Sequence, residues 1–514
     1  MKINKPFLTL CAVSIAFSSI TFGQSVENID LKKLDQYIAK SAADWDIPGM
    51  AIGIIHNGEL IFAKGYGEKE LGKGVAPDEN TLFAIASNSK AFTSATIAQL
   101  VEEGKVSWDD KVRTHLPYFE MNDTYVSNEI NIKDILSHRV GLGTFQGDVI
   151  WYKSKLSSEE LVRRVKHIKP AYNFRDGFGY SNLMFITAGE VIKAASGKTW
   201  AENVQERFLN PLGMNRTLVS YQQIAKSKNV ASPHARSIDG VNYTIPWVDW
   251  DNVGATGGLI SSVSDMSKWM AMNMEHGMYK GDTFFSASSR NMMWSTHNSF
   301  VQNVAMPNST GRHFYGYGLG WFIRDYRANY MVSHTGGYDG MLSAVTLLPD
   351  HKFGVVVLTN GMQSPMMAVT YQILDEFLGI KDSDWSKTML EGTLRGKEGD
   401  TRIADRKAAR VMNSIPSLLP EDMGGTYHSK NYGDIIVKAN KDGMTIEFEH
   451  SPEFKSKLTH WHYNTWKMEW NTPQAWFNHA TVQFVTDNNN KVTELLFDVP
   501  NDDIFFTDLD PIKK

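Results

Sequence analysis

Residues 85–93, IASNSKAFT, place the hydroxyl of Ser87 three positions ahead of the amine of Lys90. In a helix that spacing puts both side chains on one face, about 5–6 Å apart at Cβ. A serine hydroxyl is a poor nucleophile until a base takes its proton. Lysine can be that base only when burial or a nearby positive potential lowers its pKa. The first turn of a helix offers such a potential through its unpaired N–H groups, and the same groups favour negative charge on the serine oxygen. The preceding TLFAIAS, residues 81–87, is apolar enough to keep water out. By itself the pattern is weak, since a chain of this length holds on the order of two Ser-x-x-Lys matches by chance.

Outward from this turn, Phe92, Ile97, Leu100 and Val101 continue a helix that Gly104 ends. Upstream, Leu31, Leu34, Tyr37, Ile38 and Trp45 form the apolar face of an amphipathic helix. Asn57-Gly58 between two β-rich runs predicts a hairpin. From about 131 to 297 the pattern is mostly helical, with MSKWMAMNME predicted as a short helix capped by Ser264 or Asp265. SAVTLLP and FGVVVLTNG then read as strands, and MMAVTYQILDEFLG as a helix ending near Gly379. Strands at both ends with helices between predict one α/β domain whose sheet draws on both ends of the segment.

Residues 381–420 are charged and helix-prone and read as a connector. Beyond it, DIIVKA, MTIEFE, ATVQFV, VTELLFDV and DIFFTDL are short β-rich runs, spaced by turn residues such as Lys441-Asp442-Gly443. That spacing predicts a small antiparallel barrel, lipocalin-like, or a sandwich. The division is therefore 1–24 leader, 25–380 main domain, 381–420 connector and 421–514 barrel.

The 514 residues carry a formal charge of −5 and no basic run, so a nucleic-acid role lacks an electrostatic footing. Lys2 and Lys5 followed by a short apolar run interrupted by Ser14, Ser18 and Ser19 predict a cleaved secretory leader rather than a membrane anchor, hence a periplasmic or secreted protein. Cys11 is the single cysteine and lies in that leader, which leaves the mature chain no thiol nucleophile, disulfide or cysteine metal ligand.

Two further motifs give the Ser87–Lys90 pair its weight: Tyr180-Ser181-Asn182 in FGYSNL, and His334-Thr335-Gly336-Gly337 in VSHTGGYDG. In this order they resemble the penicillin-recognising serine hydrolases, in the branch of class C β-lactamases, D-Ala-D-Ala carboxypeptidases, D-aminopeptidases and related esterases. The resemblance spans roughly residues 30 to 380 and includes GATGGLISSVSDM and YGLGWF. It implies a β-lactamase/transpeptidase-like α/β fold, an antiparallel sheet flanked by helices plus a mainly helical subdomain. It implies that Ser87 is acylated, that Lys90 and Tyr180 share proton transfer, and that Asn182 orients substrate and holds Lys90. Ser87 and Gly337 would supply the oxyanion hole, while His334, Thr335 and Gly336 would line the substrate site. No cofactor or metal is implied, and the partner is a small-molecule or peptide substrate.

A phenol titrates near 10, so Tyr180 acts as a base only beside a cation; Lys90 is one and His334 a candidate second. His334 stands where most β-lactamases carry lysine, and its neutrality near pH 7 weakens the case for carboxylate-bearing β-lactams. In SHRVGL, His138 and Arg139 read as structural, Arg139 as one half of an ion pair. His460 and His462 in HWHYNTW suggest a metal pair without a third ligand, so a packing role is preferred. The expected activity is exported acyl-enzyme hydrolysis of amides or esters. An acyltransferase on the same scaffold and a slowly acylated penicillin-binding sensor are the alternatives.

Overall fold

Asn57 and Gly58, both at positive φ (50° and 83°), turn the chain between strands Gly49–His56 and Glu59–Gly67, as a tight hairpin requires. The computed structural model describes residues 29–301, 310–381, 383–440 and 443–514. The expected leader, and Lys441 and Asp442 of one expected barrel turn, lie outside these residues.

The hairpin forms one edge of an eight-stranded sheet. Its order is Glu59–Gly67, Gly49–His56, Phe353–Thr359, Met341–Leu348, Asn329–Tyr338, Phe322–Tyr326, Tyr315–Tyr317 and Asn298–Ser299. Every pairing is antiparallel, and Gly49–His56 lies directly against Phe353–Thr359. The sheet thus draws on both ends of the domain, as the sequence predicts.

Alternation along each strand divides the core. Ile52, Ile54, Val355 and Val357 pack under helices Leu31–Asp44 and Met366–Phe377 through Leu34, Ile38, Ile373 and Phe377. Ala51, Ile55, Val356 and Leu358 face the other way, toward Phe92, Val263 and Met266 of the helical subdomain. Burial on both faces is why FGVVVLTNG is a continuous apolar run rather than an alternating one.

Helix Ser89–Glu102 runs through the middle of this second layer and is buried nearly all round. Its small residues, Ala91, Ser94, Ala95 and Ala98, allow that close packing, and Phe92 stacks on Trp269 at 3.6 Å between ring centroids. Helix Val263–Met274 is capped by Ser262, slightly earlier than predicted. Asp265 instead accepts the N–H groups of Arg216 and Thr217, tying the helix to a neighbouring loop.

Eight strands from Gly425–Ser429 to Ile512–Lys513 close into a barrel. One predicted strand is absent: DIFFTDL forms a turn and the 3₁₀ segment Phe506–Asp508. Asn501 causes this, its amide accepting from the N–H groups of Asp503 and Ile504 and donating to the carbonyls of Val499 and Ile504. Ile504, Phe506 and Leu509 still reach the apolar core. Helices Trp385–Gly399 and Arg402–Ala408 bridge the two parts. Trp385 bonds Asp375 of the main domain, and Arg406 holds Asp498 of the barrel. Among the described residues no helix is long and apolar enough to cross a membrane.

Candidate active site

Ser87 sits in the 3₁₀ turn Ala86–Asn88 that feeds helix Ser89–Glu102, so the nucleophile candidate precedes the α-helix rather than opening it. Ala86 adopts φ 46°, a left-handed conformation that costs a non-glycine residue on the order of 1 kcal/mol. Surrounding bonds hold the turn. Ser343 donates to the Ile85 carbonyl at 2.8 Å, and Asn88 donates to Ser343 at 2.9 Å. Gly336 makes the close approach of the His334–Gly337 strand possible, since a Cβ there would stand 2.2 Å from the Ile85 carbonyl oxygen.

Strand Phe322–Tyr326 pairs with positions 329–333 only, whereas the strand on the other side continues to Tyr338. The segment His334–Tyr338 therefore offers a free edge beside the Ser87 turn. Thr335, Gly336 and Gly337 all line the cavity that Ser87 opens into, which has a volume of about 400 Å³.

Lys90 is fully buried and makes three hydrogen bonds through Nζ: to Ser87 Oγ at 3.0 Å, Asn182 Oδ1 at 2.7 Å and the Thr256 carbonyl at 2.7 Å. Burial pushes the amine well below its ordinary pKa, with Asp148 opposing the shift. A neutral amine has two N–H donors and one lone pair. Asn182 Oδ1 and the Thr256 carbonyl can only accept, so the donors go to them and the lone pair is left for the Ser87 hydroxyl.

Asn182 begins helix Asn182–Ser196 and its side chain does not cap it. Its Oδ1 also accepts from Thr256 Oγ1 at 2.7 Å, while its Nδ2 donates to Asp148 Oδ2 at 2.6 Å. Asp148 thereby fixes which end of the Asn182 amide faces Lys90. Burial, above all, raises the Asp148 carboxyl to about 8.

Tyr180 lies beside this network, its ring centroid 4.8 Å from Lys90 Nζ. Burial raises its hydroxyl well above the usual phenol range, with the neighbouring Ser87 hydroxyl offsetting part of the rise. The buried Oη makes no hydrogen bond of normal geometry and is free to meet an incoming group.

His334 is buried, and its Nδ1 donates to the Thr335 carbonyl at 2.6 Å. Nε2, 2.9 Å from Tyr317 Oη, then accepts from that hydroxyl. Burial and the neighbouring Lys90 push the imidazole down to about 3, so at neutral pH it is no second cation for a phenolate. Arg139 pairs with Asp134 at 2.7 Å and also reaches the His297 carbonyl. His460 donates to the Tyr463 carbonyl, His462 accepts from the Val411 N–H, and a bulge separates them.

Sequence reasoning missed Asp148, Thr256 and Tyr317. It also missed Trp476, Asp503 and Ile504 of the barrel segment, all of which line the cavity. The Asp148 side chain is remote in sequence from every motif it serves and carries no local signal.

An eight-stranded antiparallel sheet carrying a Ser-x-x-Lys turn against a His-Thr-Gly edge defines a β-lactamase/transpeptidase-like fold, here with a closed C-terminal barrel. The chain belongs to the β-lactamase family, whose profile matches residues 34–376, and a domain of unknown function, DUF3471, matches residues 409–511. The unguisins hydrolase ungD' of Aspergillus campestris is 30% identical over 375 residues, which span 68% of this chain and 66% of that protein. Protein flp of Staphylococcus aureus is 27% identical over 65% of this chain and 64% of its own length. The chain therefore spans just under two thirds of these relatives. Among solved structures, the octameric penicillin-binding protein homologue from Pyrococcus abyssi superposes with a TM-score of 0.59 at 22% identity, covering 94% of this chain and all of that one. A D-stereospecific amidohydrolase from a Streptomyces species gives 0.56 at 20% identity, covering 68% of this chain and 100% of its own. Both share the fold.

Proposed function

We propose that the protein is a serine hydrolase that cleaves amides or esters through an acyl-enzyme on Ser87. The observation that carries this reading is the Lys90 bonding pattern, two pure acceptors and one hydroxyl, inside a buried site. As Ser87 Oγ attacks the carbonyl carbon, its proton passes to the Lys90 lone pair and the C=O π electrons move to oxygen. The backbone N–H groups of Ser87 and Gly337 stabilise that oxyanion. Collapse restores the carbonyl and expels the amine or alkoxide, which takes the Tyr180 proton. Lys90 then returns its proton to Tyr180, leaving the acyl-enzyme with both groups neutral. In deacylation water gives a proton to Lys90 as it attacks, and Ser87 Oγ recovers that proton on leaving.

Tyr180 thus serves as the acid, in keeping with a pKa raised by burial, and Lys90 as the base. The naming of an unguisins hydrolase and a D-stereospecific amidohydrolase among the similar proteins favours peptide-like amides with D-residues as substrates. Export is part of the same proposal, resting on the leader-like residues 1–24. The test is fluorophosphonate labelling and chromogenic-ester turnover beside Ser87→Ala. Loss of both in the variant is expected, and persistence of either removes the assignment. Labelling of the wild type without turnover would favour a sensor, and ester formation on addition of an alcohol would favour an acyltransferase.

A further inference from the structure

Tyr180 is held from two sides. On one, the Phe145 N–H donates to the Tyr180 carbonyl at 2.8 Å and the Tyr180 N–H donates to Thr144 Oγ1 at 3.2 Å. Two residues past Phe145 this loop is fastened to the barrel, the Gly147 N–H donating to Asp508 Oδ2 at 2.7 Å. The barrel also supplies the far wall of the cavity through Trp476, Asp503 and Ile504.

The other side is a single buried residue, His138. Its carbonyl accepts the Gly179 N–H at 3.0 Å, and its Nδ1 accepts the Ser181 N–H at 3.0 Å. Both chain neighbours of Tyr180 are thus bonded to His138. The imidazole lies on the phenol ring between them, 4.3 Å between centroids and 33° from parallel. Tyr317 and Phe185 close around the same imidazole at 4.7 and 5.2 Å. A ring nitrogen that accepts carries no proton, so the imidazole is neutral with its hydrogen on Nε2. Burial holds it neutral, with Lys90 and His334 adding to the downward shift. Among the described residues Nε2 has no hydrogen-bond partner, so Nδ1 is the nitrogen that the site uses.

His138 stands at φ 58°, a left-handed conformation that disfavours a residue with a Cβ. Its carbonyl is tied down there by Tyr172 Oη as well, at 3.3 Å. The strained turn aims carbonyl and ring together at residues 179–181, which filling the core alone does not demand. Ser181 also leads directly into helix Asn182–Ser196, so the same bond helps set where Asn182 meets Lys90.

We propose that His138 is the positioning residue for the Tyr180 hydroxyl, holding it where it can give its proton to a departing amine or alkoxide. This rests on the acyl-enzyme reading. As the tetrahedral intermediate collapses, the C–N or C–O bond breaks and its electron pair goes to the leaving atom, which takes the Tyr180 proton. An amine or an alkyl alkoxide needs that proton, whereas nitrophenolate or fluoride departs without it. The effect of His138 therefore grows with the basicity of the leaving group. A residue that only supported the fold would not discriminate among leaving groups.

The test compares kcat/KM for p-nitrophenyl, phenyl and ethyl acetate in the full chain, since this ratio reports acylation. His138→Phe keeps a ring and removes the acceptor. Ethyl acetate should then lose on the order of 10²-fold, p-nitrophenyl acetate no more than about threefold, and phenyl acetate an intermediate amount. His138→Asn tolerates positive φ and offers Oδ1 to the Ser181 N–H, so it should recover most of the ethyl acetate rate. Equal losses on all three esters, no loss on any, or no recovery in His138→Asn overturns the proposal. So does a wild type that turns over the nitrophenyl ester alone. Fluorophosphonate labelling of Ser87 expels fluoride and should persist in both variants; its loss would mark a merely structural residue. In the wild type the same labelling separates the two readings. Labelling together with equal losses in His138→Phe keeps the acyl-enzyme and removes the positioning role, whereas no labelling removes the acyl-enzyme and this role with it.

Discussion

Lys90 Nζ lies 3.0 Å from Ser87 Oγ while its two other contacts, at 2.7 Å, are to oxygens that only accept. The geometry demands an uncharged amine if the serine is to lose a proton to it. Because Lys90 is held well below 10.5, kcat/KM should rise with pH along a limb well below that value and then level off. Lys90→Arg keeps a permanent cation and should lose both the limb and on the order of 10²–10⁴-fold in rate. A pH–rate profile of both proteins checks this.

Asp148 gives a stability prediction. Its folded carboxyl titrates at about 8 against 3.8 for an unperturbed aspartate, so the folded chain holds the proton over a window where the unfolded chain releases it. Below about 3.8 no stability is lost through this group; as pH climbs toward 8 the loss accumulates, on the order of several kcal/mol. Lys90 and Asp503 face the same carboxyl, so the comparison is with Asp148→Asn, which still accepts from Asn182. Denaturation between about pH 4 and 9 should show the variant overtaking the wild type as pH rises, and parallel curves would refute the shift.

Gly336→Ala tests the docking of strand on nucleophile turn. The new methyl would meet backbone at 2.2 Å from the Ile85 oxygen, where no side chain can swing away. Overpacking of this kind costs about 1–3 kcal/mol. We expect a lower Tm and a fall in kcat larger than the change in KM, measured on the chromogenic ester.

Trp476→Ala removes barrel surface from the cavity without touching Ser87, Lys90 or Tyr180. KM for an apolar substrate should rise several-fold, with fluorophosphonate labelling at Ser87 retained.

Much of the scaffold is legible in the chain because it is locally encoded. Asn57-Gly58 marks its hairpin by conformation, and Ile38 and Phe377 mark helix faces by periodicity. Three barrel strands, Gly425–Ser429, Thr465–Trp470 and Ile512–Lys513, escape notice: the first is short and mostly polar and the last only two residues long, whereas TWKMEW alternates in period two and was legible. DIFFTDL misleads in the opposite sense: its residues favour a strand, but the side chain of Asn501 bends the backbone first. At the site, Ser87, Lys90, Tyr180 and Asn182 are readable as motifs, and the structure brings them together. Asp148 and Asp503 meet only through tertiary docking, which no window of sequence displays.

The bond from Gly147 to Asp508 has an evolutionary corollary. A chain whose reactive centre and far wall match two separate family profiles can vary one against the other wherever the junction bonds are kept. Grafting a different barrel onto the same Ser87 turn would keep the reaction and change the clientele, much as new jaws fitted to an old wrench alter what it grips.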